Sequence, residues 1–175
     1  PELDLYHPWD LSAETAIDLA KTCEAAALDF DSHIQNSEGA SVSSGNSLFF
    51  YGNSHGFAGG YPTSRHSLAC SVIAQDDNGM QSNYWLSTAR DRDTLETAQA
   101  VGNKAAERAL KKLGSQRLQT REVPVLFSAE MARGLIGHFL GAISGGSQYR
   151  KSTFLLEHAG KQVFPDYFNI QEDPH

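Results

Sequence analysis

The chain has 175 residues, with 14 Lys plus Arg against 21 Asp plus Glu, a formal charge of −7. Apolar residues make up 40% and charged residues 20%, a globular composition for one domain or two small ones that needs no disulfide staples. The acidic balance argues against a nucleic-acid partner, which needs a basic footprint. No apolar run approaches the ~20 residues of a membrane helix, the longest being 134–143 (GLIGHFLGAI), so no membrane partner is expected.

Residues 1–10 (PELDLYHPWD) read as a docking lead-in. A helix is predicted over about 12–29, with Asp10 or Ser12 accepting from its first free amides. Its inward stripe is Ala13, Ala16, Ile17, Ala20, Cys23, Ala27 and Phe30. From about 33 to 90 the periodicity changes to short apolar runs punctuated by Ser, Gly and Asn. Residues 48–51, 67–74 and 83–87 read as strands, with Asp77, Asn78 and Gly79 turning between the last two. A second helix is predicted over about 94–113, capped by Asp93 or Thr94. Its apolar face is Leu95, Ala98, Val101, Ala105, Ala109 and Leu113, and it stops at Gly114. The polar stretch 115–122 reads as a linker. Residues 123–127 read as a short strand, 129–143 as a Gly-interrupted helix ending at Gly145 and Gly146, and 153–156 and 162–164 as two more strands. Segregated helices and antiparallel strands make the fold class α+β.

Two isolated cysteines, Cys23 and Cys70, lie in apolar-patterned segments and read as buried reduced thiols. With no signal-peptide pattern in the opening residues, the expected location is cytoplasmic. A Pro at position 1 and a final QEDPH that completes no element suggest a segment of a longer protein.

Seven histidines (7, 33, 55, 66, 138, 158 and 175) raise the question of a metal. No two stand at the i, i+3 to i+5 spacing that places both imidazoles on one helical face, and there is no C-x-x-C. In 52–56 (GNSHG), Asn53 and Ser54 fit a tight turn bonded to local backbone, which is favoured over a loop presenting His55 to a substrate. Ser64 and His66 share a strand face, as a nucleophile and base would, while Ser67 points to the other face. No third, orienting group or oxyanion hole accompanies them. The glycines at 134, 137, 141, 145 and 146 cost roughly 1 kcal/mol each inside a helix. They imply either close helix packing or a surface that another chain approaches. Arg150 and Lys151 beyond them are solvated or pair with acidic groups of a partner.

Taken together, YHPWD (6–10), YGNSHGF (51–57), SRHSLACSVIA (64–74), GLIGHFLGAISGGSQYRKSTFLL (134–156) and GKQVFPD (160–166) resemble the TldD/PmbA family of bacterial and archaeal metallopeptidases. The resemblance runs the length of the chain and is closest to the PmbA (TldE) type. It implies that 1–120 is the central part of the family's N-terminal region and that 121–175 begins its C-terminal domain. It also implies a heterodimer of TldD-type and PmbA-type subunits that degrades or trims unfolded peptides, with roles in microcin-type peptide maturation and antitoxin breakdown. The TldD-type subunit carries H-E-x-x-x-H on a helix, two zinc ligands and a general base.

Here that motif is replaced. Aligning the family's G-L-x-G-x-F with 134–139 places Ser128 and Arg133 at the two ligand positions and Ala129 at the base. Ser is a poor zinc ligand, Ala has no base, and Arg keeps its proton. Glu130 and His138 stand eight residues apart, about 12 Å along a helix. The resemblance therefore implies a non-catalytic subunit with no cofactor of its own. Zinc is expected in the TldD-type partner, and unfolded peptide is expected to be held as an added strand. Candidate peptide or partner contacts are Asn53, His55, Arg65, His66, Gly145, Gly146 and Arg150. The alternative is a stand-alone peptide-binding or chaperone-like module; an autonomous hydrolase using His55 or His66 ranks third.

Overall fold

The computed structural model describes residues 3–172 and divides into two compact units, Pro1–Arg117 and Leu118–His175. The fold class is α+β, as the sequence predicts.

The first unit packs two helices on one face of a three-stranded antiparallel sheet. Helix α1 spans Ala13–Leu28, and Ser12, not Asp10, caps it: its Oγ accepts from the Thr15 amide at 3.1 Å. Only Cys23 and Ala27 of the expected stripe are fully buried, while Ile17 and Phe30 are exposed. The stripe is narrower than its spacing predicts because α1 lies directly against α2 (Ala98–Leu110). A Cβ built on Gly102 would stand 2.1 Å from the Cys23 carbonyl oxygen. Only small side chains fit where two helix backbones approach so closely.

The sheet is β1 (Ile34–Gly52), β2 (Ala58–Asp76) and β3 (Gly79–Ala89) in that order. The three runs read from the sequence are fragments of much longer strands. In β1 the alternation is carried by weak hydrophobes, Ala40 and Val42 facing inward with Ser41 and Ser43 between them, so it reads as loop. The pairing is irregular near Gly39, whose φ of 109° belongs to glycine. In β2 every second residue from Ser64 to Ala74 is buried. Asp76 pairs with Gly79 across a two-residue turn, as predicted, and the Asp76 carboxylate accepts from the Asn78 amide at 2.8 Å.

The predicted helix over 94–113 is corrected. A 3-10 turn, Arg92–Thr94, is capped by Asp91, and α2 starts only after Thr97, whose hydroxyl accepts from the Ala100 amide. Between them Leu95 is extended. That break lets the Glu96 carboxylate accept from Trp85 Nε1 at 2.9 Å and the Glu96 amide donate to Ser87 Oγ at 3.0 Å, bonds to β3 that a continuous helix would forfeit. The α2 face buries Ala98, Val101, Ala105 and Ala109 as expected, with Gly102 and Ala106 added. Gly114 closes the segment at φ 70°. The core joins these residues to Ile34, Leu68, Cys70, Val72 and Ala74.

In the second unit, α3 spans Ala129–Ile143 as predicted. The chain then turns at Ser144, whose Oγ accepts from the Ser147 amide, and Gly145 and Gly146 begin a short helix α4 (Gly145–Tyr149) instead of ending α3. The strands predicted at 123–127, 153–156 and 162–164 are absent; the described residues of this unit contain no strand. A short apolar run becomes a strand only where another strand pairs with it, and none does here. Ala142 and Leu155 are its buried apolar residues, and Phe164 packs against Phe139 and Phe168 with ring centroids 5.0 and 4.6 Å apart. Among the described residues no helix is long and apolar enough to cross a membrane.

Candidate functional site

The first turns of α3 hold the positions where the family resemblance places a metal motif. Ser128 is the N-cap residue in extended conformation (φ −62°, ψ 154°); its backbone carbonyl accepts from the Met131 and Ala132 amides, but its hydroxyl makes no cap bond. Ala129 is the first helical residue, and Arg133, exposed, stands about 6 Å further along the axis. Glu130 lies in the first turn, where the helix dipole favours a carboxylate. Among the described residues no group of three or more His, Cys, Asp or Glu converges in a way that could hold a metal ion.

Gly134, Gly137 and Gly141 have no atom within 4 Å of where a Cβ would stand. Their close packing is thus not met within the described residues, and Gly137 and Gly141 line an open depression with His138 and Phe154. Arg150 closes α4, its guanidinium 3.3 Å from a Cβ built on Gly146, and Gly145 faces open space.

His66 is corrected as a contact residue, because it is fully buried. Nδ1 lies 3.0 Å from Ser44 Oγ, Nε2 lies 2.9 Å from the His7 carbonyl oxygen, and Trp9 packs edge-on at 5.5 Å. Ser64, also buried, donates to the Arg90 carbonyl and accepts from the His7 amide at 2.8 Å each. Both imidazole nitrogens and the Ser64 hydroxyl are thus committed to pinning residues 5–9 onto β2, which leaves no nucleophile and base pair. The sequence signal was the lead-in itself: His7 and Trp9 supply partners that a strand histidine lacked.

Asn53 and His55 sit at the tip of the β1–β2 hairpin. Asn53 Oδ1 accepts from the His55 and Phe57 amides at 3.0 and 3.2 Å, the local turn favoured from sequence, and it leaves the His55 side chain exposed. Arg65 is exposed on the opposite face from His66, its Nε donating to Thr88 Oγ1 at 3.3 Å. The thiols of Cys23 and Cys70, both buried, hydrogen-bond one another, which pushes the Cys23 thiol well above its usual range with burial adding to the effect.

Sequence reasoning missed the open edge of the sheet. β1 is an edge strand, and from 39 to 64 the chain has no Asp, Glu, Lys or Arg, although these make up 20% of it. Natural edges are usually guarded by charge or Pro. The absence of charge over 26 residues is the signal that could have found it.

Family models match both units: the PmbA/TldA metallopeptidase central domain over residues 6–113, and the C-terminal domain of the same family over 120–175. The chain belongs to the PmbA/TldD metallopeptidase family. It is 47% identical over 175 residues to the metalloprotease PmbA homolog of Haemophilus influenzae and 46% identical to metalloprotease PmbA of Escherichia coli O157:H7. In each case all of this chain is covered, and it spans 39% of the relative's length. Among solved structures, a candidate modulator of DNA gyrase from Bacteroides thetaiotaomicron superposes with a TM-score of 0.80 at 26% identity, covering 90% of this chain and 36% of that one. A second, from Thermotoga maritima, gives 0.81 at 22% identity with the same coverage, a likeness of fold.

Proposed function

We propose that this chain is part of a non-catalytic subunit of a cytoplasmic, heterodimeric metallopeptidase of the PmbA/TldD family, one that degrades or trims unfolded peptides, including microcin-type precursors and antitoxins. The observation that carries the reading is the replacement of the metal motif on α3 by Ser128, Ala129 and Arg133. The helix that would present the ligands is intact, but a hydroxyl, a methyl and a guanidinium stand where two imidazoles and a carboxylate are needed. Zinc and the attacking water belong to a TldD-type partner in this proposal. The part of this chain is to complete the chamber and hold peptide.

Peptide holding is supported by the body of the sheet, where β1 faces solvent along 39–45, a stretch without a charged side chain that begins just after the exposed Glu38. An extended peptide adding there gains backbone hydrogen bonds whatever its side chains, which suits a peptidase of low sequence preference.

The test is the zinc content of the full-length protein purified without its partner. The expected value is near zero per chain, with peptide hydrolysis restored only on adding a zinc-bearing family subunit. A value near one zinc per chain sinks the proposal.

A further inference from the structure

The helices of the first unit cover one face of the sheet; the other face carries a trough along the central strand. Side chains alternate across a strand, so the register places Ser67, Ala69 and Ser71 of β2 on that outer face, with Ser43 and Ser41 of β1 beside the first two. This floor is small and mostly hydroxyl. Leu86 and Tyr84 of β3, opposite Ala69 and Ser71, are 42% and 60% exposed and stand above it as a wall. A depression of about 340 Å³ opens against Tyr84, lined also by Gly39, Ser41 and Ser71.

The two ends of the trough carry opposite charge. Glu38, Arg65 and Asp76 are the only Asp, Glu, Lys or Arg residues on the three strands. Asp76 belongs to the turn, where its carboxylate accepts from the Asn78 amide. The Glu38 carboxylate accepts from Ser71 Oγ, which holds it at one end of the floor. Arg65 Nε donates to Thr88 Oγ1 at 3.3 Å at the other end, where Arg90 joins Arg65 and Thr88 around a second depression of about 220 Å³. Neither arginine makes an ion pair among the described residues. Thr88 lies opposite Ser67, so the charged ends are separated by the four residues from Ser67 to Ser71, about 13 Å. An extended peptide advances roughly 3.3 Å per residue, so four or five residues bring its ammonium to Glu38 and its carboxylate to the arginines, both as charge-assisted hydrogen bonds. Between the ends, serine hydroxyls donate and accept, so they satisfy a peptide backbone whatever its side chains.

We propose that the outer face of the sheet binds short peptides of about four or five residues with both termini free, the ammonium at Glu38 and the carboxylate at Arg65 and Arg90. The bound peptide runs parallel to β1, and Tyr84 and Leu86 flank its side chains. A longer peptide reaches only one charged end at a time, and a blocked one loses an end outright. This site is distinct from the β1 edge, where backbone pairing holds a chain without reading its termini. The inference goes beyond the proposed function and does not depend on the zinc-bearing partner.

The test is titration calorimetry of the full-length protein without a partner, using tetraalanine, its N-acetyl form, its C-terminal amide and dialanine. The expected result is binding of tetraalanine, at least tenfold weaker with either end blocked and at least tenfold weaker for dialanine, which is too short to span both ends. Glu38→Gln keeps the bond from Ser71 and should abolish the preference for a free amine while leaving that for a free carboxylate. Arg65→Met with Arg90→Met should do the converse. Glu38, Arg65 and Arg90 are all exposed, so the urea midpoint should not move. Should a variant fail to fold, the blocked peptides on the wild type decide alone. Equal binding of free and blocked peptides overturns the proposal, as does a preference for free ends that survives both variants. Absence of binding at millimolar tetraalanine overturns it too, since the trough is then covered by another part of the full-length protein. Absence of end-dependent binding with zinc near zero per chain sinks this inference and leaves the proposed function standing, while end-dependent binding with one zinc per chain does the reverse.

Discussion

Gly102→Ala tests the helix contact on which the first unit is built. In an open helix this change gains about 1 kcal/mol, because Ala has the higher helix propensity. Here the new Cβ would lie 2.1 Å from the Cys23 carbonyl oxygen, 3.1 Å from the Ala27 nitrogen and 3.2 Å from the Ala26 Cβ. Two of these atoms are backbone and cannot rotate away, so α1 and α2 must part by more than an ångström. Core overpacking costs typically 1–3 kcal/mol, and an obstacle made of backbone belongs at the upper end, which leaves a net loss of about 2 kcal/mol after the propensity gain. Separation also loosens Val101, Ala105 and Ala109 against α1 and the sheet. The assay is urea denaturation, with a fall in midpoint at unchanged slope; by heat, the loss corresponds to about 8 °C for a unit of this size. Gly141→Ala is the control, since nothing lies within 4 Å of its Cβ. An unchanged or raised midpoint for Gly102→Ala would refute the close crossing of α1 and α2.

Further outcomes follow from the other buried groups and the surface carboxylates. His66→Leu strips the partner from the part-buried His7 carbonyl, costing about 1–3 kcal/mol if it is left dry, while the exposed Ser44 hydroxyl turns to water; hydrogen exchange at the Ser64 amide, which donates to Leu5, should speed up as residues 5–9 detach. Cys23 and Cys70 should resist alkylation in the native protein and both react after unfolding, because they are buried and hydrogen-bonded to each other; native labelling as fast as a free thiol would contradict that placement. Lys111 holds the Glu107 carboxyl below its ordinary 4.5, so Lys111→Met should raise the Glu107 titration midpoint toward that value by NMR. The Asp31 carboxyl is likewise lowered, by hydrogen bonds from the His33 amide and ring. Carboxyls depressed in the folded state bind fewer protons than in the unfolded chain, so what they add to stability is complete above pH ~4.5 and disappears as pH falls through their folded values. Acid unfolding that begins well above pH 5 would point to other groups.

Much of the fold was legible because local chemistry and tertiary packing agree. Ser12, Gly114 and the Asp77–Asn78 turn act where the sequence places them, and the buried face of α2 follows its helical spacing. The α1 stripe was read too wide, since spacing reports which residues share a face and not how near the neighbouring backbone comes. That Ser128, Ala129 and Arg133 are poor metal ligands is also legible, because ligand chemistry is a property of residue type. The role of His66 was not, since its partners at positions 7 and 44 lie 59 and 22 residues away in sequence.

By itself, then, the sequence determined the segregation of helices from strands, the turn at 77–79, the Gly114 stop and the buried face of α2. Each of these depends on a residue's own conformational and bonding preferences. Only the tertiary structure decided how far β1 and β2 run, that 123–127 and 153–156 are not strands, and where α2 begins. A strand exists only through its partner, and the break before α2 is held by Trp85 and Ser87 on a neighbouring strand. The outer half of the β1–β2 hairpin combines both: its uncharged, aromatic composition is written in the sequence, but its exposure depends on where β3 stops pairing with β2.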